Sequence, residues 1–157
     1  MNREKDFMKI ALKEAEKGMR TGEGGPFGAV IVKNGKIISK GHNEVIKTND
    51  PTAHAEIVAI RKASKKLKRF DLSDCVIYST CEPCPMCLSA ILWAKIKKLY
   101  YICSKDDAAE IGFDDKYIYD VIKGKTKKSR LKKVRIDDNS CLELFKEWQN
   151  KPDKIEY

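Results

Sequence analysis

The sequence predicts an α/β fold, and three features of the chain point to it. Apolar residues at helical spacing alternate with short β-rich runs through the middle of the chain. Asn34-Gly35 sits between two strand-like runs and marks a two-residue hairpin turn. Two helix-start signals, Asp50-Pro51-Thr52 and Cys84-Pro85, each open an apolar run. Strand–helix alternation implies right-handed crossovers and partly parallel pairing. At 157 residues with 42% hydrophobic content, a single domain spanning 1–157 with a real core is expected.

Each element follows from its own pattern. Phe7, Ile10, Ala11, Leu12, Ala15 and Met19 lie at helical spacing, which predicts an amphipathic helix over 4–20. The glycines between Gly22 and Gly25 end it and form a loop. That loop is not a phosphate cradle, because no Gly-Lys-Ser/Thr follows and no helix opens there. Gly28 to Val32 is a first strand, and Lys36 to Lys40 returns as the second after the turn. Gly41-His42-Asn43-Glu44 comes next. The Asn43 amide can donate and accept at once, which suits the edge of a base. Spacing alone favours a plainer role as a turn asparagine.

Thr52 to Lys66 reads as a second helix, with Ile57, Ala59, Ile60 and Ala63 apolar and a basic far end that suits its dipole. Cys75 to Thr80 is a third strand, Pro85 to Trp93 a third helix and Lys98 to Cys103 a fourth strand. Past Cys103 the character changes. Asp106, Asp107, Glu110, Asp114 and Asp115 form an acidic cluster around Ile111-Gly112-Phe113. Lys123 to Arg135 then holds eight basic residues in thirteen. Val134-Arg135-Ile136 is expected as a short fifth strand. Cys141 to Trp148 is a last helix, with Leu142, Phe145 and Trp148 at helical spacing.

Composition excludes several classes. No run of eighteen apolar residues exists, so no membrane-spanning helix is expected. The N-terminus lacks a signal-peptide apolar block, which makes the cytoplasm the expected location. Six cysteines then read as reduced thiols or ligands rather than disulfides. Cys75 and Cys103, in strand-like runs, are expected as small buried apolar residues. A net charge of +9 is compatible with a polyanionic partner, and equally with a lysine-rich solvated surface.

Two motifs carry the chemistry. His54-Ala55-Glu56 supplies an imidazole and, two residues on, a carboxylate. Pro83-Cys84-Pro85-Met86-Cys87 supplies two thiols three residues apart. A catalytic zinc site wants three protein ligands and one open position. His54, Cys84 and Cys87 make three, and two thiolates offset the charge of the ion. Glu56 is left over as a proton carrier. Cys84 and Cys87 share a face if a helix starts there, and a helix start lowers thiol pKa. His54 and Glu56 work together only in a first turn, so two helix N-termini are expected to converge on one metal ion. Alone, Cys-x-x-Cys also fits a redox pair or half of a structural zinc site. A structural site would want a fourth ligand, with His42 or Cys81 at hand.

Together these residues spell H-x-E and P-C-x-x-C, the pattern of zinc-dependent nucleobase deaminases. The chain resembles the cytidine deaminase-like superfamily over nearly its whole length. That resemblance implies a three-layer α/β/α sandwich with a mixed five-stranded sheet. Gly25 to Val32, Asn49 to Ala59, Cys81 to Cys87, Ala108-Ala109-Glu110, Gly112-Phe113-Asp114-Asp115 and the terminal Glu156-Tyr157 make it similar to the bacterial guanine deaminases of this fold.

The family implies hydrolysis of guanine to xanthine and ammonia, a step of purine catabolism. It implies one zinc ion per subunit on His54, Cys84 and Cys87, with Glu56 as the proton shuttle. Asn43 and the Ala55 N–H would hold the ring edge. Phe27 and Trp93 would pack on the base, Asp115 would meet its polar edge, and Tyr157 would close the pocket. The resemblance also implies a homodimer that exchanges C-terminal segments (about 105–157), so that the acidic block and the tail come from the neighbour. A tRNA adenosine deaminase of the same fold is the alternative, and only there would nucleic acid be a partner. The basic charge suits it. The carboxylates of Gly112 to Asp115 and the Glu156-Tyr157 ending oppose it. A non-catalytic zinc or RNA-binding module has no use for Glu56.

Overall fold

A computed structural model describes residues 3–126 and 129–157. By contact the chain divides into two units, Met1–Tyr119 and Asp120–Tyr157. The first holds a four-stranded sheet in the order β2-β1-β3-β4, built from β1 (Gly28–Lys33), β2 (Lys36–His42), β3 (Val76–Cys81) and β4 (Lys98–Cys103). The hairpin β1–β2 is antiparallel, closed by Asn34 and Gly35 at φ 49° and 71°. These left-handed angles are what a type I′ turn needs, and Asn-Gly supplies them cheaply. β1 also pairs antiparallel with β3, whereas β3 and β4 run parallel across a helical crossover. The sheet is therefore mixed.

Both faces of the central strands are covered. In β1, Ala29 and Ile31 point to one cluster, and Val30 and Val32 point to the other. Period-two alternation with apolar residues on both sides is the pattern of a strand buried between two helical layers. The helix α1 (Arg3–Arg20) covers one face through Met8 and Ala11, against Val30, Val32 and Tyr78. The other face holds α3 (Ala55–Leu67) and α4 (Pro85–Trp93), through Ala55, Ala59, Ala63 and Ile91. Burying each large aliphatic side chain there contributes roughly 1.5–3 kcal/mol. This is the three-layer α/β/α arrangement.

Three short helices have no clear apolar period in the sequence: α2 (Val45–Thr48), α5 (Lys105–Glu110) and α6 (Lys116–Ile122). The expected helix from Thr52 starts later, at Ala55. Asp50 accepts hydrogen bonds from the backbone and hydroxyl of Thr52, and Ala53 N–H closes a turn onto Asp50 O. The start signal therefore serves a turn just before the helix.

Two further expectations are corrected. No strand forms at Val134–Ile136, so the described sheet has four strands rather than five. Its apolar residues Val134 and Ile136 are exposed, and no sheet edge pairs with them. Cys103 is exposed while Cys75 is buried, because β4 is an edge strand whose outer residues stay uncovered.

The second unit contains α7 (Ser140–Asn150). Leu142, Phe145 and Trp148 do lie along it as expected, and all are exposed. In the basic run Lys123 to Arg135, Lys127 and Lys128 fall outside the described residues. No helix among the described residues is long and apolar enough to cross a membrane.

Candidate active site and metal centre

Two helix starts aim at one point. His54 is the N-cap of α3, with φ −69° and ψ 158°, and Cys84 is the N-cap of α4, with φ −64° and ψ 168°. Neither side chain caps its own helix. Both are free to reach across, and Cys87 follows in the first turn of α4 behind Pro85. His54 Nδ1 lies 3.6 Å from Cys84 Sγ and 3.5 Å from Cys87 Sγ.

These separations test the metal. A tetrahedral zinc with Zn–S near 2.3 Å and Zn–N near 2.0–2.1 Å holds its N and S donors about 3.6 Å apart. One imidazole and two sulfurs at the edges of such a tetrahedron fit zinc in both chemistry and spacing. His42 and Cys81 do not join them. His42 is bonded to Glu14 and Glu23 instead. The Cys81 thiol donates to Ser104 O at 3.5 Å, and burial pushes it up to about 12. Among the described residues the set His54, Cys84 and Cys87 is thus three donors, not four, which leaves a tetrahedral site one open position.

The two sulfurs differ electrostatically. Cys84 is drawn down to about 4 by the hydrogen bond from Cys87, with a further contribution from His54. Cys87 is pushed up by the neighbouring Cys84 sulfur and by burial. His54 is raised by its contact with Cys84.

Glu56 is the second residue of α3 and is only 6% exposed. Ser79 Oγ of β3 donates to its Oε1 at 3.1 Å. Burial raises its pKa above the ordinary carboxylate value, because desolvation penalises the charged form. A basic carboxylate beside a metal-ligand set is what proton transfer at neutral pH needs.

Above these groups opens a cavity of about 700 Å³. Its floor includes His54, Glu56 and Cys84, and its walls include Phe27, Asn43, Phe113, Asp114 and Asp115. Phe27 and Phe113 meet edge to face, with centroids 4.9 Å apart and planes at 90°. Ala55 is the first residue of α3, so its N–H is one of those a helix start leaves without an intrahelical partner. Asn43 is buried, and its Oδ1 accepts from Val45 N–H at 3.1 Å. It is therefore a turn asparagine and a cavity wall at once. Asp115 is partly buried and its pKa is raised, first by desolvation and then by the nearby Cys84 sulfur.

Trp93 is not among the residues lining this cavity. Trp93 closes α4 and is two-thirds exposed. It lies nine residues beyond the N-cap Cys84, roughly 13 Å along the helix axis. Tyr157 belongs to the second unit and is exposed. Asp114 and Asp115 of the acidic block line the cavity of their own chain.

Sequence reasoning missed Ser79 and the role of Phe113 as a ring partner of Phe27. It also missed α5, whose Ser104 and Asp107 form a capping box. Ser-x-x-Asp before that segment was a readable signal. Ser79 had none, because a buried serine in a strand looks like any other inward small residue.

With the geometry in place, comparison with known proteins defines the class. The model of the cytidine and deoxycytidylate deaminase zinc-binding region matches residues 1–103, and the chain belongs to that family. Within it, the chain is 48% identical to guanine deaminase from Bacillus subtilis over 157 residues, the full length of both. A crystal structure of the Bacillus subtilis guanine deaminase superposes with a TM-score of 0.93, covering 98% of each chain. A tRNA-specific adenosine deaminase from Buchnera aphidicola is 40% identical over 144 residues, 92% of each chain. A structure of guanine deaminase from Nitrosomonas europaea is 33% identical, with a TM-score of 0.66 over 69% of this chain and 63% of that one.

Proposed function

We propose that this chain is a zinc-dependent aminohydrolase that converts guanine to xanthine and ammonia. The observation that carries it is the cavity: a buried carboxylate beside a His/Cys/Cys set, under two phenylalanines and two aspartates. The full-length relationship to a guanine deaminase points the same way.

His54, Cys84 and Cys87 would hold one zinc ion per subunit, which when bound supplies Lewis-acid activation of a water at the open position. The remaining work falls to the chain. Phe27 presents an apolar ring to the face of the base, and Phe113 braces it edge-on. Asn43 and the Ala55 N–H hold the ring edge. Asp115 accepts from N–H donors that guanine offers and adenine lacks, and pairing such donors discriminates strongly. Glu56 accepts a proton from the activated water and delivers it to the ring nitrogen beside the reacting carbon. It then takes the proton of the hydroxyl newly bonded to that carbon and gives it to the amine, so that ammonia departs as the carbonyl forms. Ser79 holds the Glu56 carboxylate for both transfers.

The exposed apolar side of α7 supports a homodimer in which residues after Tyr119 are exchanged, with Tyr157 of a second copy closing the pocket. Six free cysteines support a reducing, cytoplasmic location. The second reading is a tRNA adenosine deaminase, favoured by the charge of +9 and by the likeness to the Buchnera aphidicola enzyme. A panel of free bases, nucleosides and tRNA followed for ammonia decides between them. Ammonia from guanine alone supports the first reading, and ammonia from tRNA but not guanine refutes it.

A further inference from the structure

The buried His42 has no place in the chemistry above, yet the fold accommodates it at some expense. Its ring, at the end of β2, lies against Gly18 of α1, where a Cβ would fall 2.5 Å from the ring carbon Cδ2. A glycine inside a helix is unfavourable, and here it makes room for an imidazole. Nδ1 bonds the Glu14 carboxylate at 3.3 Å, Nε2 bonds Glu23, and Glu44 stands 3.8 Å from the same Nε2.

Three carboxylates around one histidine resemble a second cation site. However, each already meets a lysine: Glu14 with Lys40 at 3.0 Å, Glu23 with Lys47 at 3.2 Å and Glu44 with Lys62 at 3.9 Å. The charges are matched within the cluster, so its use lies in what it ties together.

Glu23 is the knot. Its N–H donates to Gly18 O at 2.9 Å, and its carbonyl accepts from Ile46 and Lys47 of α2 at 3.1 and 3.0 Å. The next residue, Gly24, presses on Asn43 so closely that a Cβ would lie 2.1 Å from Asn43 Oδ1. Asn43 N–H in turn donates to Phe27 O at 3.1 Å. Gly24, Gly25, Asn43 and Phe27 form one wall of the base cavity.

We propose that His42 and Glu23 are positioning residues for base binding: their hydrogen bond clamps the Glu23–Gly25 loop against Asn43 and so fixes the amide that meets the base. This rests on the assignment of Asn43 as a base contact.

The test is a double-mutant cycle on steady-state guanine deamination, with metal content measured throughout. Glu23→Ala should raise KM about tenfold with kcat within about threefold, because binding and not the chemical step is disturbed. Glu23→Gln keeps an acceptor for the ring and should recover most of the loss. In an Asn43→Ala background, Glu23→Ala should change KM by less than about twofold, since both act through one contact. Additive effects on KM, or a Glu23→Ala protein that only melts earlier, would overturn the proposal and leave the base contact standing. Wild-type KM in Asn43→Ala alone would remove the base contact and the proposal together. If Glu23→Ala does not fold, His42 provides the second comparison. His42→Gln keeps a polar group towards Glu23, and His42→Asn keeps one towards Glu14. The former should have the lower KM, and equal values would overturn the clamp.

Discussion

Replacing Glu56 by glutamine isolates proton transfer from everything else the site does. The substitution keeps the volume of a side chain that is 6% exposed. It also keeps an oxygen to accept the Ser79 hydroxyl, which lies 3.1 Å away in the wild type. Burial already works against the charged form of Glu56, so a neutral amide adds no desolvation cost and the fold is expected to hold. The metal set is untouched, because the three donors are His54, Cys84 and Cys87. Only the ability to accept and return a proton is lost. One positioned acid or base contributes about 10²–10⁴ in rate, or about 2.7–5.5 kcal/mol on the barrier. Glu56 is asked to act in two successive transfers, which places its loss at the upper end of that range. Ammonia release from guanine, metal content and melting temperature would be measured on the same preparation. Turnover within tenfold of wild type, at full metal content, would refute the proton-carrier role.

Other outcomes follow from the same geometry. Asp115→Asn should lower kcat/KM for guanine by about 10–150-fold, the worth of a hydrogen bond to a charged partner. Metal content should not change, and parallel loss of both would mean that Asp115 is structural. Guanine deamination should vary little between about 50 and 200 mM salt, where a phosphate-reading enzyme loses affinity steeply. A steep salt slope in KM would favour the tRNA reading. Asp74 is held down to about 2, first by Lys33 and then by Arg69. A depressed carboxylate stabilises the fold above its ordinary pKa, and that contribution is lost as pH falls through the folded value. Asp74→Asn should therefore melt below wild type at pH 7. The gap should narrow below about pH 4 and close near pH 2. A gap that persists unchanged at pH 2 would exclude the ion pairs as its cause.

The two zinc motifs were legible because their chemistry constrains spacing. Cys84 and Cys87 need one helical turn, Pro85 is tolerated only at its start, and the structure begins α4 at Pro85. The β1–β2 hairpin was legible for a similar reason, since few dipeptides other than Asn-Gly tolerate two left-handed residues. Phe27, Asn43 and Asp115 were named through the resemblance, but the path that brings the last of them there was not legible. Phe113 and Asp115 reach the cavity through α5 and the loop after it, where Gly112 turns at φ 95°. No hydrophobic period runs through that segment. The fifth strand failed because Val134 and Ile136 have the composition of a strand without a partner edge. β propensity is a fit to neighbours more than a property of the backbone.

The choice of sulfur on α4 and a carboxylate on α3 has a common electrostatic cause. Each helix N-terminus presents about half a positive charge, and two of them face the same point here. A dication placed there would be repelled by both ends if its ligands were all neutral. Sulfur resolves the conflict. The thiolate form of Cys84 is favoured first by the hydrogen bond from Cys87 and then by His54, with a pKa near 4, and a thiolate returns negative charge that a cation requires. On α3 the same field acts on Glu56 at the second helical position. It favours the charged form of a carboxylate whose pKa burial raises. The carboxylate is thus pulled in opposite directions by desolvation and by the hydrogen bonds it accepts, with desolvation ahead. A carboxylate with a raised pKa is a better proton acceptor than an ordinary one. The helix starts therefore do more than present ligands: they bring a thiolate and a buried carboxylate to the point where a cation and a proton carrier are needed.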